Sequence, residues 1–422
     1  MSTPKKKYAD KTCIVYDHGS FVSVAQRLAR DFGQVYYYSP CKDTFAQYKK
    51  TKVGFGLEGV QRINNFFDFL DEADLIVFPD IMDADLQLHL DDLGYKVWGS
   101  RRGEDLEMDR EGMRELLEEM DLPVPEYTVV IGITNLREYL KENQNVWVKI
   151  STFRGDFETF QSKNYDYIAL RIDELEKVFG AFKEDIEFIV DDNLPDKVEI
   201  GYDGYCVDGV FPNETIFGLE IKDLGYVCHR KKNDELHPEL LKFNSKLSHY
   251  LKEVGYKNNI STEMRIGKDG IGYMTDACSR FGSPPSELYQ EMYANFSEII
   301  WEGAHGNCID PVFQNEFGVQ VIMSSEWAAK NWLTIQFDEK YKDNIKLRNC
   351  AVNDGVNVII PSDVPVSEIG SIVATGKTLD EALAKVEEIA DTIRGYYVEI
   401  PLSSIDKAKE EIEKLEEIGY KF

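Results

Sequence analysis

259-NISTEMRIGKDGIGYMTDACSRFGSPP-285 reads as two short strands joined by a tight turn at Gly267, Asp269 and Gly270. Glycine supplies the backbone freedom that such a turn needs. Glu263 and Asp276 stand thirteen positions apart, one on each strand. Acids on neighbouring strands point into one site when their register matches. A hard divalent cation such as Mg2+ takes oxygen ligands, usually one or two carboxylates, with substrate phosphates completing the shell. The spacing suits equally well two solvated acids in a chain that carries 76 acidic residues. Arg280 follows in a Gly/Pro-rich loop, 280-RFGSPP-285.

The whole chain narrows the choice. At 422 residues it suits two or three domains. Apolar residues make up 43%, enough for a substantial core, and 14 prolines without a low-complexity tract argue against long disordered regions. The longest apolar runs, such as 75-LIVF-78, fall far short of a membrane span. MSTPKKKYADK is basic with no apolar stretch behind it, so it is expected to be a frayed tail rather than a secretory signal. A net charge of −28 repels nucleic-acid phosphates, which leaves phosphate binding to a local pocket of Lys and Arg. Seven scattered cysteines without a CxxC pair, and six histidines without metalloprotease spacing, point to a reduced cytoplasmic protein without zinc.

Residues 11–100 alternate strands (KTCIVYDH, QVYYYSP, ADLIVFPD, GYKVWGS) with helical spacing in FVSVAQRLARDFG, which is expected to stop at Gly33. Near-continuous apolar strands separated by helices imply a parallel sheet covered on both faces. Ligands of such sheets bind beyond the strand C-terminal ends, at Asp17–Ser20 and Pro79–Asp80 here, although ordinary turns fit each loop as well. Met108, Met113, Leu116, Leu117 and Met120 fit one helical face that Pro123 and Pro125 end. Residues 187–274 are rich in strand signals, interrupted by the helix HPELLKFNSKLSHYLKEVG. A helix over 286–306 is expected with Ser286 as cap. The remainder mixes strands (NVIIPS, GSIVATG, YYVEI) with two helices. The fold class expected is α/β first and α+β afterwards.

With its acids and arginine, 263-E…D-A-C-S-R-F-G-282 resembles the end of the nucleotide site in the ATP-grasp superfamily. In that superfamily two acids and an Asn hold magnesium, and an Arg a few residues on contacts the reacting group. The order of parts resembles the family's too, and 370-GSIVATGKTLDEALAKVEEIADTIRG-395 looks like the last domain of the phosphoribosylamine–glycine ligase family. The resemblance implies an ATP-grasp fold: a parallel-sheet pre-ATP domain (1–103), the lobes that hold ATP and Mg2+ (104–330) and a small C-terminal α+β domain (331–422). It implies an ATP-dependent ligase that joins a small carboxylate to an amine.

Each site residue follows from that likeness. Glu263 and Asp276 would hold Mg2+, with Cys278, a poor ligand for it, where the family has Asn. Arg110 takes the place of a lysine that touches ATP phosphates. Lys149, in 146-VWVKIS-151, matches a second phosphate-binding lysine, and an ammonium on a buried strand is costly unless an anion meets it. Arg154 and Gly155 fall in the family's mobile phosphate loop, or in a plain hairpin turn. Asp191, the Leu194 backbone and Glu199 correspond to the adenine and ribose contacts, with Asp192 an exposed loop acid. Arg280 would orient the carboxylate or steady the transferring phosphoryl group. Lys222 is placed in the substrate loop, and Arg230 could be a further anion contact there; a solvated basic loop fits as well. The helix start at Gly19 and Ser20 can bind an anion, but it lacks the family's phosphoribosyl contacts. The acidic helix 405–418 is expected to pack on its own domain or on a second subunit of a homodimer.

Overall fold

The computed structural model describes residues 6–40, 52–150, 159–194, 197–221, 224–361 and 367–422, with the backbone alone at 404 and 405. They form two compact units: Met1–Gly103 with Gly201–Ser261 and Ser279–Phe422, and Glu104–Ile200 with Thr262–Cys278.

The first unit opens with β1 (Tyr8–Tyr16), α1 (Val22–Leu28), β2 (Phe32–Tyr38), β3 (Gln61–Arg62), β4 (Leu75–Val77), α2 (Ala84–Asp92) and β5 (Val97–Trp98). The strands pair in parallel in the order β3-β2-β1-β4-β5. Strand periodicity sends Cys13, Val15, Leu75 and Val77 into one apolar cluster and Ile14 and Ile76 into another, so both faces are covered. The expected first helix is shorter than its apolar spacing suggests. Phe32 and Gly33 belong to β2, and a Cβ at Gly33 would lie 2.0 Å from the Ala9 carbonyl oxygen, so only glycine allows β1 this close.

The second unit begins with α3 (Asp105–Met108), α4 (Arg110–Glu119), β6 (Tyr127–Ile131), α5 (Ile133–Glu142), β7 (Val146–Ile150), β8 (Thr159–Ser162), α6 (Tyr165–Phe179) and β9 (Glu187–Asp192). Its antiparallel sheet has the order β6-β9-β7-β8. Val146, Val148 and Ile150 of β7, with Phe188 and Val190 of β9, pack against Leu136 and Leu140 of α5 and Ile168, Ile172 and Leu175 of α6. The alternate positions therefore look to the other face, and Lys149 and Asp191 are among them.

β10 (Val198–Val207) runs through both units. β11 (Glu214–Ile221), β12 (Gly225–Lys232) and α7 (Pro238–Glu253) belong to the first, β13 (Lys257–Ile266) again runs through both, and β14 (Gly272–Cys278) belongs to the second. The chain returns to the first unit with α8 (Ser286–Met292), α9 (Phe296–Ala304), β15 (Phe317–Ser324), β16 (Leu333–Gln336), β17 (Ile345–Leu347), β18 (Cys350–Asn353), β19 (Val356–Ile359), β20 (Glu368–Gly376), α10 (Leu379–Ala390), β21 (Arg394–Gly395) and α11 (Ser404–Glu417). β10, β11, β12, β15, β20 and β17 are successive neighbours in one sheet, and β18-β19-β16-β21 form a smaller one.

Three local expectations change. The helix at 286–306 is two helices, broken where Tyr293 turns extended. Ser286 is not its cap: it lies within α8, and its hydroxyl donates to Glu287 at 3.2 Å. YYVEI is no strand beyond a single bridge between Glu399 and Ser324. α11 packs on β11 and β12 of its own unit.

Candidate phosphate-binding site

α4 starts at Asp109, whose carboxylate accepts the Gly112 N–H at 2.9 Å, a side-chain cap. Arg110, Met113, Arg114 and Leu117 then follow the i, i+3, i+4, i+7 stripe that a helix buries. Two of those four inward positions are arginines, exposed by only 2% and 1%. A cation at the first helical position also opposes the helix dipole. Both facts call for anionic partners.

The second unit supplies them. Arg110 Nη1 donates to Asp276 Oδ1 at 2.8 Å. Lys149, 5% exposed, donates to the Thr275 carbonyl, with its Nζ 3.4 Å from Asp191 Oδ2 and 3.7 Å from Asp276 Oδ2. Arg114 Nη2 donates to Asp191 Oδ2 at 2.7 Å and to the Thr275 carbonyl at 3.1 Å, while Nη1 reaches the Met274 carbonyl at 2.8 Å. Burial pushes the Asp276 carboxyl up, but the charges of Arg110 and Lys149, with Arg114 behind them, outweigh that and hold it well below the usual carboxylate range. Three buried cations, Arg110, Arg114 and Lys149, gather around Asp191 and Asp276 in a protein of net charge −28. Asp276 is the exposed edge of the set, with 21% of its side chain open to solvent.

The other candidates fall in different places. Asp191 is engaged through Oδ2 by Arg114 and Lys149, and Glu199 pairs with Arg265 at 2.7 Å. Leu194 lies half-buried beyond β9, next to Asn193, which accepts the Trp147 indole N–H at 3.0 Å. Asp192 is exposed. Arg154, Gly155 and Lys222 lie outside the described residues. Arg230 is engaged by Glu214 at 2.8 Å and Glu316 at 3.1 Å.

Magnesium finds part of its expected shell. Asp276 is an ionised oxygen donor at the exposed edge of the set, which suits a hard cation. Cys278 shares the face of Asp276 two positions on, but a thiol suits Mg2+ poorly. Glu263 shares its face of β13 with Arg265, between the buried Thr262 and Met264. Among the described residues no group of three or more His, Cys, Asp or Glu side chains is gathered to hold a metal ion, so Glu263, Asp276 and Cys278 do not form a ready three-donor cluster. Asp276 is held by Arg110 and Lys149.

In the first unit Arg280 lies at the strand ends of the parallel sheet. The Phe281 N–H donates to the Pro79 carbonyl at 3.0 Å, and Arg280 Nε stands 3.7 Å from Asp80. Asp17 is buried, and its Oδ2 accepts from Tyr37 at 2.6 Å and from the Phe21 N–H at 3.1 Å. Burial, with the charge of Asp80 adding to it, pushes the Asp17 carboxyl up to about 6. The expected anion site at Gly19 and Ser20 is not realised in this form. Asp17 takes the N–H at the helix start, α1 has only seven residues, and the Gly19 carbonyl accepts from Asn349 N at 2.8 Å.

Arg114 is the site residue that sequence reasoning missed. Its signal is in 110-REGMRELL-117, where a second arginine recurs at i+4 on the apolar stripe.

No protein-family model matches the chain, and the search of curated proteins finds no match either. Solved structures do resemble it. The phosphoribosylamine–glycine ligase of Thermotoga maritima superposes with a TM-score of 0.70 at 16% identity, over 92% of this chain and 98% of that one. The biotin carboxylase domain of the Hydrogenobacter thermophilus 2-oxoglutarate carboxylase, in complex with MgADP, ADP and bicarbonate, gives 0.64 at 13% identity over 97% and 96%. The N5-carboxyaminoimidazole ribonucleotide synthetase of Thermotoga maritima gives 0.59 at 14% identity over 91% and 99%. At such identities the likeness establishes the fold: this chain has the ATP-grasp fold over nearly its whole length.

Proposed function

We propose that the chain is an ATP-dependent carboxylate–amine ligase that forms an amide through an acyl phosphate, using Mg2+. The observation that carries the reading is the gathering of three buried cations, Arg110, Arg114 and Lys149, around Asp191 and the partly exposed Asp276, in a protein of this fold. A cluster of buried cations beside a solvent-open edge suits an anion with several oxygens, and a triphosphate is such an anion. The solved structure containing MgADP supports a nucleotide as that anion.

The roles follow from chemistry. Arg110 and Lys149 would neutralise phosphate oxygens while a substrate carboxylate attacks the terminal phosphorus. Phosphoryl transfer asks the protein for positioning and charge neutralisation, not for a nucleophile. Asp276, with Glu263 as its expected companion, would hold Mg2+, which when bound neutralises charge on the phosphate oxygens. An amine then displaces phosphate from the acyl group. Arg280 is assigned to the carboxylate, in fork geometry. Lys222, Arg154 and Gly155 keep their proposed contacts with substrate and phosphate, and Leu194 and Glu199 theirs with the nucleoside. Small carboxylates and amines are the proposed partners.

The substrates are proposed to differ from the purine-pathway pair, because 17-DHGSFVSVAQRLA-29 lacks the family's phosphoribosyl contacts and Asp17 takes the Phe21 N–H of that loop. The experiment is an ATP assay with a panel of carboxylates and amines, one carboxylate labelled with 18O. ADP formation with label in the released phosphate is the expected result. Brisk ADP formation with phosphoribosylamine and glycine would restore the purine-pathway reading. A second reading, a nucleotide-binding regulator, is favoured by the Cys278 thiol beside an Asp276 already held by two cations. Nucleotide binding without ADP formation across the panel would select it.

A further inference from the structure

Arg114 and Lys149 approach the same oxygen, Asp191 Oδ2, but unequally. The guanidinium is in full hydrogen-bond contact at 2.7 Å, and the ammonium stands off at 3.4 Å. Among the described residues the buried Asp191 Oδ1 has no hydrogen-bond partner, and both cations engage the carboxylate through Oδ2. Arg114 keeps its place through two further bonds, to the Met274 and Thr275 carbonyls of β14. Three acceptors in different directions need the five N–H groups and the rigid fork of a guanidinium, which a lysine cannot reproduce. Without that claim on it, a buried aspartate beside a buried lysine closes into a direct ion pair, since each charge is costly alone. Lys149 would then be neutralised from within.

We propose that Arg114 is a positioning residue of the phosphate site. By holding the Asp191 carboxylate it keeps Lys149 from full neutralisation, and so leaves the ammonium available to an incoming phosphate oxygen. The inference rests on the reading of this set as a polyphosphate site, and concerns how that site stays open.

The test is a double-mutant cycle read by calorimetric titration with inorganic tripolyphosphate, with thermal melts run beside it. Arg114→Lys keeps the charge but frees Asp191, and is expected to weaken binding about tenfold, the low end of what a charged hydrogen bond contributes. Adding Asp191→Asn removes the competitor and is expected to restore affinity to within about threefold of wild type, on that same scale. A purely structural arginine gives a loss that Asp191→Asn does not rescue, and that result overturns the proposal. Should Arg114→Lys not fold, Asp191→Asn alone decides: tighter tripolyphosphate binding supports the role, and weaker binding overturns it. If wild type binds neither tripolyphosphate nor MgATP, the polyphosphate reading falls and this proposal with it. Wild-type binding with an unrescued loss sinks the role of Arg114 alone.

Discussion

Asp276→Asn is the perturbation with the sharpest consequence. Asp276 accepts from Arg110 at 2.8 Å and lies 3.7 Å from Lys149, so it occupies the place that a phosphate oxygen would take. A metal-free triphosphate must displace it. Asparagine keeps an oxygen that can accept from Arg110 but removes the negative charge beside Arg110 and Lys149. Bare Coulomb attraction at these separations is about 4–6 kcal/mol at an effective dielectric of about 20. Desolvation cancels much of that, and a charged hydrogen bond nets about 1.5–3 kcal/mol. At about 1.4 kcal/mol per factor of ten, metal-free binding should tighten about ten- to a hundredfold. Mg2+ should then improve binding much less, because one of its two expected carboxylates is gone, and turnover should be lost. Calorimetric titration of ATP with EDTA, and again with Mg2+, reads both effects, with a thermal melt to confirm the fold. Unchanged or weaker metal-free affinity, or an undiminished gain from Mg2+, would refute the reasoning.

Lys149→Ala should weaken nucleotide binding by about 1.5–3 kcal/mol, and an unchanged dissociation constant would remove it from the site. Cys278→Asn places an amide oxygen two residues from Asp276, and should lower the Mg2+ concentration needed for half-maximal activity; an unaltered Mg2+ titration would separate that position from the metal. Asp17 titrates near 6 in the folded chain against an ordinary 3.8, so its ionisation is disfavoured by the fold and wild-type stability should fall as pH rises from about 4 to 6. Asp17→Asn should abolish that slope and gain up to about 3 kcal/mol at pH 7, measured by urea unfolding; a variant with the slope intact would clear Asp17. The sign reverses at Asp276: its lowered value means that its ion pairs contribute stability above about pH 4 and are lost only on strong acidification, which Asp276→Asn should make visible as weaker stability at neutral pH.

Lys149 was legible because a charge on an apolar strand carries its own question, and strand alternation then sets it on the face away from the helices. The partners of Asp276 were not. Arg110 lies 166 residues away, and only tertiary structure joins them. The helix Tyr165–Phe179 escaped because Tyr167, Leu170 and Val178 are apolar yet exposed, which blurs the stripe formed by Ile168, Ile172 and Leu175. The second unit is discontinuous, assembled from 104–200 and 262–278, since β10 and β13 each run through both units; local signals mark strands but not which part of a strand serves which unit. Spacing left Glu263 and Asp276 open between a shared site and two solvated acids, and the family likeness joined them, whereas the register of a hairpin and the pull of Arg110 and Lys149 decide where such acids point.

The most direct measurement is a crystal structure with Mg2+ and a non-hydrolysable ATP analogue. The account predicts phosphate oxygens within about 3 Å of the Lys149 ammonium and the Arg110 guanidinium, ordinary charged hydrogen-bond distance, with Asp276 turned from those cations to the metal. An analogue whose phosphates bind elsewhere, while Lys149, Asp191 and Asp276 keep their present contacts, would contradict it.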